Sequence, residues 1–206
     1  MDIYTIGHSN YSVERLLEML KHYDINCIVD IRGTPYSKYN TQFNKEIIAK
    51  TLVQHGYMYI YMGKEFAAQR EDKSLYTEEG YADFEKVAYD KDFLRGIERL
   101  RLGCEKGYRI ALMGAKQDPL NCHRCILVGR ALRKAGFNII HILDDYSKAS
   151  QEAMEEALLE KYHGKNKRDQ IDFDSYIYGG PSKEDLINQC YKLGNRDIGY
   201  RVERIK

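Results

Sequence analysis

The chain has 206 residues, enough for one large domain or two small ones. Lys and Arg number 32 against 31 Asp and Glu, a formal charge of +1, which excludes a uniformly basic nucleic-acid coat and an acidic solvating tail but allows local patches. No apolar run reaches the roughly 18 residues of a membrane span, the N-terminus lacks a signal peptide's plan, and five scattered cysteines fit a reduced cytoplasmic protein rather than a disulfide scaffold.

Asp2 to Ile6 predicts a first strand, ending at Gly7. Val13, Leu16, Leu17 and Leu20 recur at helical spacing after Ser12, a good N-cap, and predict a helix to Tyr23. Cys27 to Ile31 is a second strand, nearly continuous in apolar residues as strands buried on both faces are. A polar loop, residues 33–40, leads to a helix over Asn44 to His55, closed by Gly56, and Tyr57 to Met62 is a third strand. Residues 63–80 are charged and aperiodic. Tyr81 to Leu102 has helical character, Arg109 to Met113 a fourth strand's, and a helix follows from Cys122 to Ala135. Asn138 to Leu143 is the fifth strand. Beyond it lie a helix over Gln151 to Tyr162, a basic loop, and a short helix after Pro181 capped by Ser182. Strands separated by helices favour right-handed crossovers and a parallel sheet. The expectation is a single α/β domain over 1–206: a mostly parallel sheet of about five strands flanked by helices (core about 1–145), with a C-terminal helical extension (about 146–206).

Loops leaving the C-terminal ends of parallel strands share one edge, where ligands bind. Here they carry His8, Ser9 and Asn10; Asp30, Arg32, Ser37 and Lys38; Lys64, Glu65 and Arg70; and Lys116, Asp118, Asn121, Cys122, His123 and Arg124. The segment Cys122-His123-Arg124-Cys125 is the most chemical. A helix start and nearby cations favour thiolate, making Cys122 a candidate nucleophile, and the same helix amides with Arg124 and Arg32 would hold an anion. The alternative is a small buried cysteine beside structural polar residues. His8 fits a proton carrier, an anion ligand or a loop-tying histidine. Asp30 and Arg32 share one strand face and read as a pair bracing the crevice, with Arg32 still able to hold an anion bidentately. Ser9 and Ser37 read as hydrogen-bond donors rather than nucleophiles, because no Gly-x-Ser-x-Gly context surrounds them.

Other readings of Cys122 carry less. Cys125 falls in line with Val128 and Leu132, a core stripe that competes with a Cys-x-x-Cys redox pair. Cys27, Cys104 and Cys190 are isolated, so no metal site is expected. Val128 stands where a cysteine-phosphatase loop needs its arginine. No cofactor motif is read.

The runs T-I-G-H-S-N, V-D-I-R-G-T-P-Y-S, M-G-K-E, D-P-L-N-C-H-R and I-G-Y-R occur in that order. Together they resemble the domain of unknown function 488, whose signatures T-I-G-H-S, D-x-R-x-x-P-x-S and C-H-R match at His8, Ser9, Asp30, Arg32, Pro35, Ser37, Cys122, His123 and Arg124. The resemblance implies a compact α/β domain with a polar crevice and supplies no reaction. Two departures stand out: Gly114-Ala115-Lys116 replaces a Cys-Ala-Glu run, and Ala67-Ala68-Gln69-Arg70 keeps only the arginine of a Gly-Gly-Arg-like segment.

The functional expectation is an enzyme acting on a small anionic substrate, phosphate- or nucleotide-like, with Cys122 as nucleophile and His8 moving the proton. Ser9, Asp30, Arg32, Ser37, His123 and Arg124 would bind substrate. The alternative is a non-catalytic nucleotide or nucleic-acid binding module, drawing on Lys116, Arg124, Arg130, Arg133 and Lys134, with tyrosines available to stack bases. A dithiol redox protein is the third reading. The oligomeric state is open, and so is the role of the 18 tyrosines.

Overall fold

The computed structural model describes residues 1–164 and 180–202. The basic loop expected after Tyr162 lies mostly outside these residues. The elements are β1 (Asp2–Gly7), α1 (Val13–His22), β2 (Cys27–Asp30), α2 (Lys45–Gln54), β3 (Met58–Tyr61), α3 (Gly63–Phe66), α4 (Phe84–Val87), α5 (Lys91–Glu105), β4 (Ile110–Gly114), α6 (Arg130–Lys134), β5 (Asn138–Ile142), β6 (Lys148–Ser150), α7 (Gln151–His163) and α8 (Lys183–Ile198).

One sheet has the order β3-β2-β4-β1-β5-β6, parallel throughout except for antiparallel β6, a strand not expected from the sequence. β1 and β4 lie side by side at its centre. From β1 the chain moves toward β2 on one side; from β4 it moves toward β5 on the other. The crevice outside their carboxyl ends is therefore the switch point at which open α/β sheets bind ligands.

Each face of the sheet carries its own apolar cluster. Tyr4, Ile6, Ile28 and Met113 face Leu16 and Leu20 of α1 and Ile48 and Leu52 of α2. Ile3, Val29 and Leu112 face Phe93 and Leu100 of α5, Leu158 of α7 and Tyr191 of α8. α7 and α8 thus belong to the same core as the sheet. α1 begins where Ser12 accepts a hydrogen bond from the Arg15 amide, as its sequence predicts.

Three expected helices differ. The stretch Tyr81 to Leu102 is broken into α4 and α5, each started by its own aspartate N-cap, Asp83 and Asp90. The helix after Pro181 runs 16 residues under a capping box formed by Ser182 and Asp185. The helix expected from Cys122 is not one helix: Pro119–Asn121 form a 3₁₀ turn capped by Asp118, Cys122 is extended, and Arg124–Gly129 wind as a π-helical segment before α6. Such wide turns favour functional positions because they push one side chain out of helical register.

Candidate functional site

β1 and β4 both end in glycine, Gly7 beside Gly114. A β-carbon on Gly7 would run into the Lys116 carbonyl and the Arg124 guanidinium, so only glycine lets the two loops close over the strand ends. The loops are stitched by His8 N–H to the Gly114 carbonyl at 3.0 Å and Ser9 N–H to the Ala115 carbonyl at 2.9 Å, with Ser9 in the left-handed region (φ 46°). Arg124, 0% exposed, holds the second loop from below through the Lys116 carbonyl and, at 2.6 Å, the Gln117 carbonyl.

Above these strand ends opens a crevice of about 560 Å³. His8, Ser9, Arg32, Ser37, Cys122 and His123 all line it, together with Lys116 and Asn121. Among the described residues, no Asp or Glu lines it. Lys116 matters to that character: it stands where the resembled family places an acid. Ile198, from the terminal I-G-Y-R run, closes one side.

Two expected substrate ligands lie beneath the crevice rather than in it. Asp30 is 0% exposed and grips Arg32 bidentately, Nε to Oδ1 at 2.8 Å and Nη2 to Oδ2 at 2.6 Å, while Tyr59 donates to Oδ2 at 2.7 Å. It fixes the Arg32 guanidinium and does not itself line the crevice. Three of the five Arg32 guanidinium N–H groups are occupied, the third by His8 Nε2 at 3.0 Å, which leaves one on each Nη for an anion. Arg124 likewise does not line the crevice. Buried under the loop with its Nε unpartnered, it forms no ion pair with any described carboxylate.

The two histidines differ in their hydrogen bonding. Arg32 can only donate, so His8 Nε2 accepts, and Nδ1 then donates to the Ser9 carbonyl at 2.9 Å. Both nitrogens are occupied, the ring stacks on Phe43, and burial together with the Arg32 guanidinium holds His8 down to about 4. His123 is arranged differently. Its Nε2–H donates to the Ile31 carbonyl at 3.1 Å, which turns Nδ1 toward Cys122 Sγ at 3.9 Å. A nucleophile, a base beside it and a third group orienting the base are the ordinary parts of thiol activation.

Cys122 itself is 4% exposed. Burial pushes its thiol up, yet the His123 ring and the charges of His123 and Arg124 outweigh that and bring it down to about 6. Burial opposes the His123 cation as well, but the Cys122 partner and the Ile31 carbonyl raise it. The direction is that of a thiolate–imidazolium pair above a buried guanidinium that has no ion pair with a carboxylate among the described residues. Gly114 leaves room for the sulfur: a β-carbon there would sit 3.1 Å from Cys122 Sγ.

Cys125 turns the other way. Its sulfur accepts from Gln151 Nε2 at 3.5 Å, and burial pushes its thiol up to about 12. Gln151 belongs to a buried chain not legible in the sequence: Thr5 to His141 at 2.7 Å, His141 to Gln151 at 2.8 Å, Gln151 to Tyr191 at 2.8 Å, and Tyr191 to Glu155 at 3.0 Å. Burial holds His141 down to about 4. The loop after β3 also stays away from the crevice, apart from Ala68. Glu65 pairs with Arg99, and Lys64 and Arg70 line a separate groove of mixed charge.

His8 and His141, both kept neutral by the fold, predict an acid sensitivity. A histidine with a folded pKa below its unfolded value of about 6.5 leaves stability complete above that value and loses it as pH falls toward the folded pKa. Urea midpoints are therefore expected to fall between pH 6.5 and 4.5, by an equivalent of roughly 1–3 kcal/mol per histidine. A flat midpoint across that window would contradict the assigned protonation states.

No helix among the described residues is long and apolar enough to cross a membrane, and no described cluster of His, Cys, Asp and Glu could hold a metal. No curated protein and no solved structure matches the chain. Residues 12–131 match the family described as a domain of unknown function, DUF488, a span that takes in Asp30, Arg32, Ser37 and Cys122 to Arg124. With more than half its length in that match, the chain belongs to the DUF488 family.

Proposed function

We propose that this protein is an enzyme whose Cys122 thiolate attacks an anionic, phosphate-bearing substrate held in the crevice. Arg32, aimed by Asp30 and Tyr59, and the exposed Lys116 bind the anion. His123 takes the thiol proton. As the sulfur forms its bond to the electrophilic centre, the leaving group departs with its bonding pair and receives that proton from the imidazolium. Water then attacks the same centre, giving a proton to the now neutral His123 as the Cys122 sulfur leaves as thiolate with the bonding pair. The observation that carries this reading is the pairing of Cys122 with an oriented His123 on a crevice without carboxylates. His8, hydrogen-bonded at both nitrogens, is assigned the placement of Arg32 instead of proton transfer.

The basic-face reading finds less support. Arg124 is buried, Arg130 pairs with Glu85, and Arg133 pairs with Glu152 and Glu155. A screen of phosphorylated metabolites and nucleotides is expected to find turnover that Cys122→Ser abolishes and His123→Asn lowers by about 10²–10⁴-fold, the usual worth of a positioned acid–base. Turnover untouched by both substitutions would remove the mechanism. Anions that bind without any turnover would favour the non-catalytic module.

A further inference from the structure

The crevice changes character with depth. At its floor sit the buried Arg32, His8 and Cys122, whereas the outer wall is open and, apart from the exposed Lys116, neutral. There the side-chain amides of Asn40 and Gln117 form no hydrogen bond with another described residue, although the backbones of both are engaged. Tyr36 lines the same wall. Its hydroxyl donates to Glu46 at 2.8 Å, which fixes the tilt of the ring, yet the residue is 55% exposed and no ring or cation stacks on it among the described residues. Tyr39, three residues on, is 94% exposed.

These groups discriminate between kinds of substrate. The volume of about 560 Å³ exceeds what a lone oxyanion fills. Of aliphatic side chains an acyl chain would find, among the described residues, only Ile198, Ala68 and Ala115, besides the Tyr36 ring. A carboxamide presents a donor and an acceptor on one planar edge, the complement of a nucleobase edge. An open tyrosine face stacks bases with little regard to identity.

We infer that the body of the substrate is a nucleoside, with its phosphate directed to Arg32 and Lys116, its base on Tyr36 and the edge of the base toward Asn40 and Gln117. This rests on the anion-binding reading proposed above and adds the nucleoside to it.

Calorimetric titration of the Cys122→Ser protein with adenosine monophosphate, ribose 5-phosphate and inorganic phosphate tests the inference. The nucleotide is expected to bind at least about tenfold tighter than ribose 5-phosphate, the worth of one stacked base. Tyr36→Ala is expected to erase that ratio and leave the sugar phosphate unchanged. Equal binding of nucleotide and sugar phosphate, both weakened by Lys116→Ala, overturns the nucleoside and leaves the anion reading standing. Binding of none of the three overturns both. A ratio that survives Tyr36→Ala overturns the placement of the base.

Discussion

Asp30→Ala is expected to cost about 3–5 kcal/mol of folding stability, the penalty for stranding one member of a buried ion pair. Arg32 would keep its charge at 7% exposure and lose two short hydrogen bonds at once, and Tyr59 would lose its acceptor. The reciprocal change, Arg32→Met, strands the Asp30 carboxylate in the same place. The double replacement Asp30→Leu with Arg32→Met removes both charges, and it is expected to recover most of the lost stability while anion binding stays lost. Urea unfolding of the four proteins, set beside phosphate titration, separates the two roles. Phosphate affinity that returns with stability in the double variant would mean that Arg32 serves the fold alone.

The second large effect concerns the thiol. His123→Asn removes the ring that draws Cys122 toward thiolate, so the thiol is expected to climb from about 6 toward an ordinary value of about 8.5. At pH 6.5 that leaves about a hundredfold less thiolate, offset by about tenfold because a more basic thiolate is intrinsically more nucleophilic. The net fall in alkylation rate at that pH is thus about tenfold, and above pH 9 the variant should match or exceed the parent. His8→Asn is expected to leave the half-point of the profile nearly unmoved, since His8 contacts Arg32 rather than the sulfur. A half-point that His8→Asn shifts as far as His123→Asn does would reverse the assignment.

Much of this arrangement is legible in the sequence because it rests on local rules. Ser12 before Leu16 and Leu20 gives α1, and the apolar run from Cys27 gives β2. Asp30, the last residue of β2, and Arg32, two residues on, do pair. The gathering of loops follows from parallel strands, and three loops of the expected four meet. What escapes prediction depends on long-range placement. Cys122 and His123 are neighbours in any reading, but only the Ile31 carbonyl, 92 residues from His123, sets which ring nitrogen faces the sulfur. His8 is hydrogen-bonded by Arg32, a contact that depends on β4 intervening between β1 and β2 and that the sequence does not reveal.

Periodicity also has limited resolution. Cys125, Val128 and Leu132 fit a 3.6-residue repeat, yet the chain there first winds in a wider π-type turn. The break between α4 and α5 was signalled by Asp83 and Asp90, two good caps inside one amphipathic stretch. Several tyrosines acquire a purpose only in three dimensions, where their hydroxyls tie segments distant in sequence: Tyr11 to Asp144, Tyr23 to the Tyr146 carbonyl, Tyr59 of β3 to Asp30 of β2 and Tyr191 of α8 to Glu155 of α7. Each ring supplies apolar bulk and each hydroxyl a fixed point, so composition alone gives no hint of which segment is held.

The pH dependence of Cys122 alkylation in the unmodified protein, followed by mass mapping of the labelled peptide with iodoacetamide in excess, tests the central claim most directly. A reactive thiolate held by His123 and Arg124 predicts labelling that rises with a half-point near pH 6 and slows when phosphate is present. Labelling of Cys122 that rises only near pH 8.5, or that phosphate leaves unchanged, would contradict it.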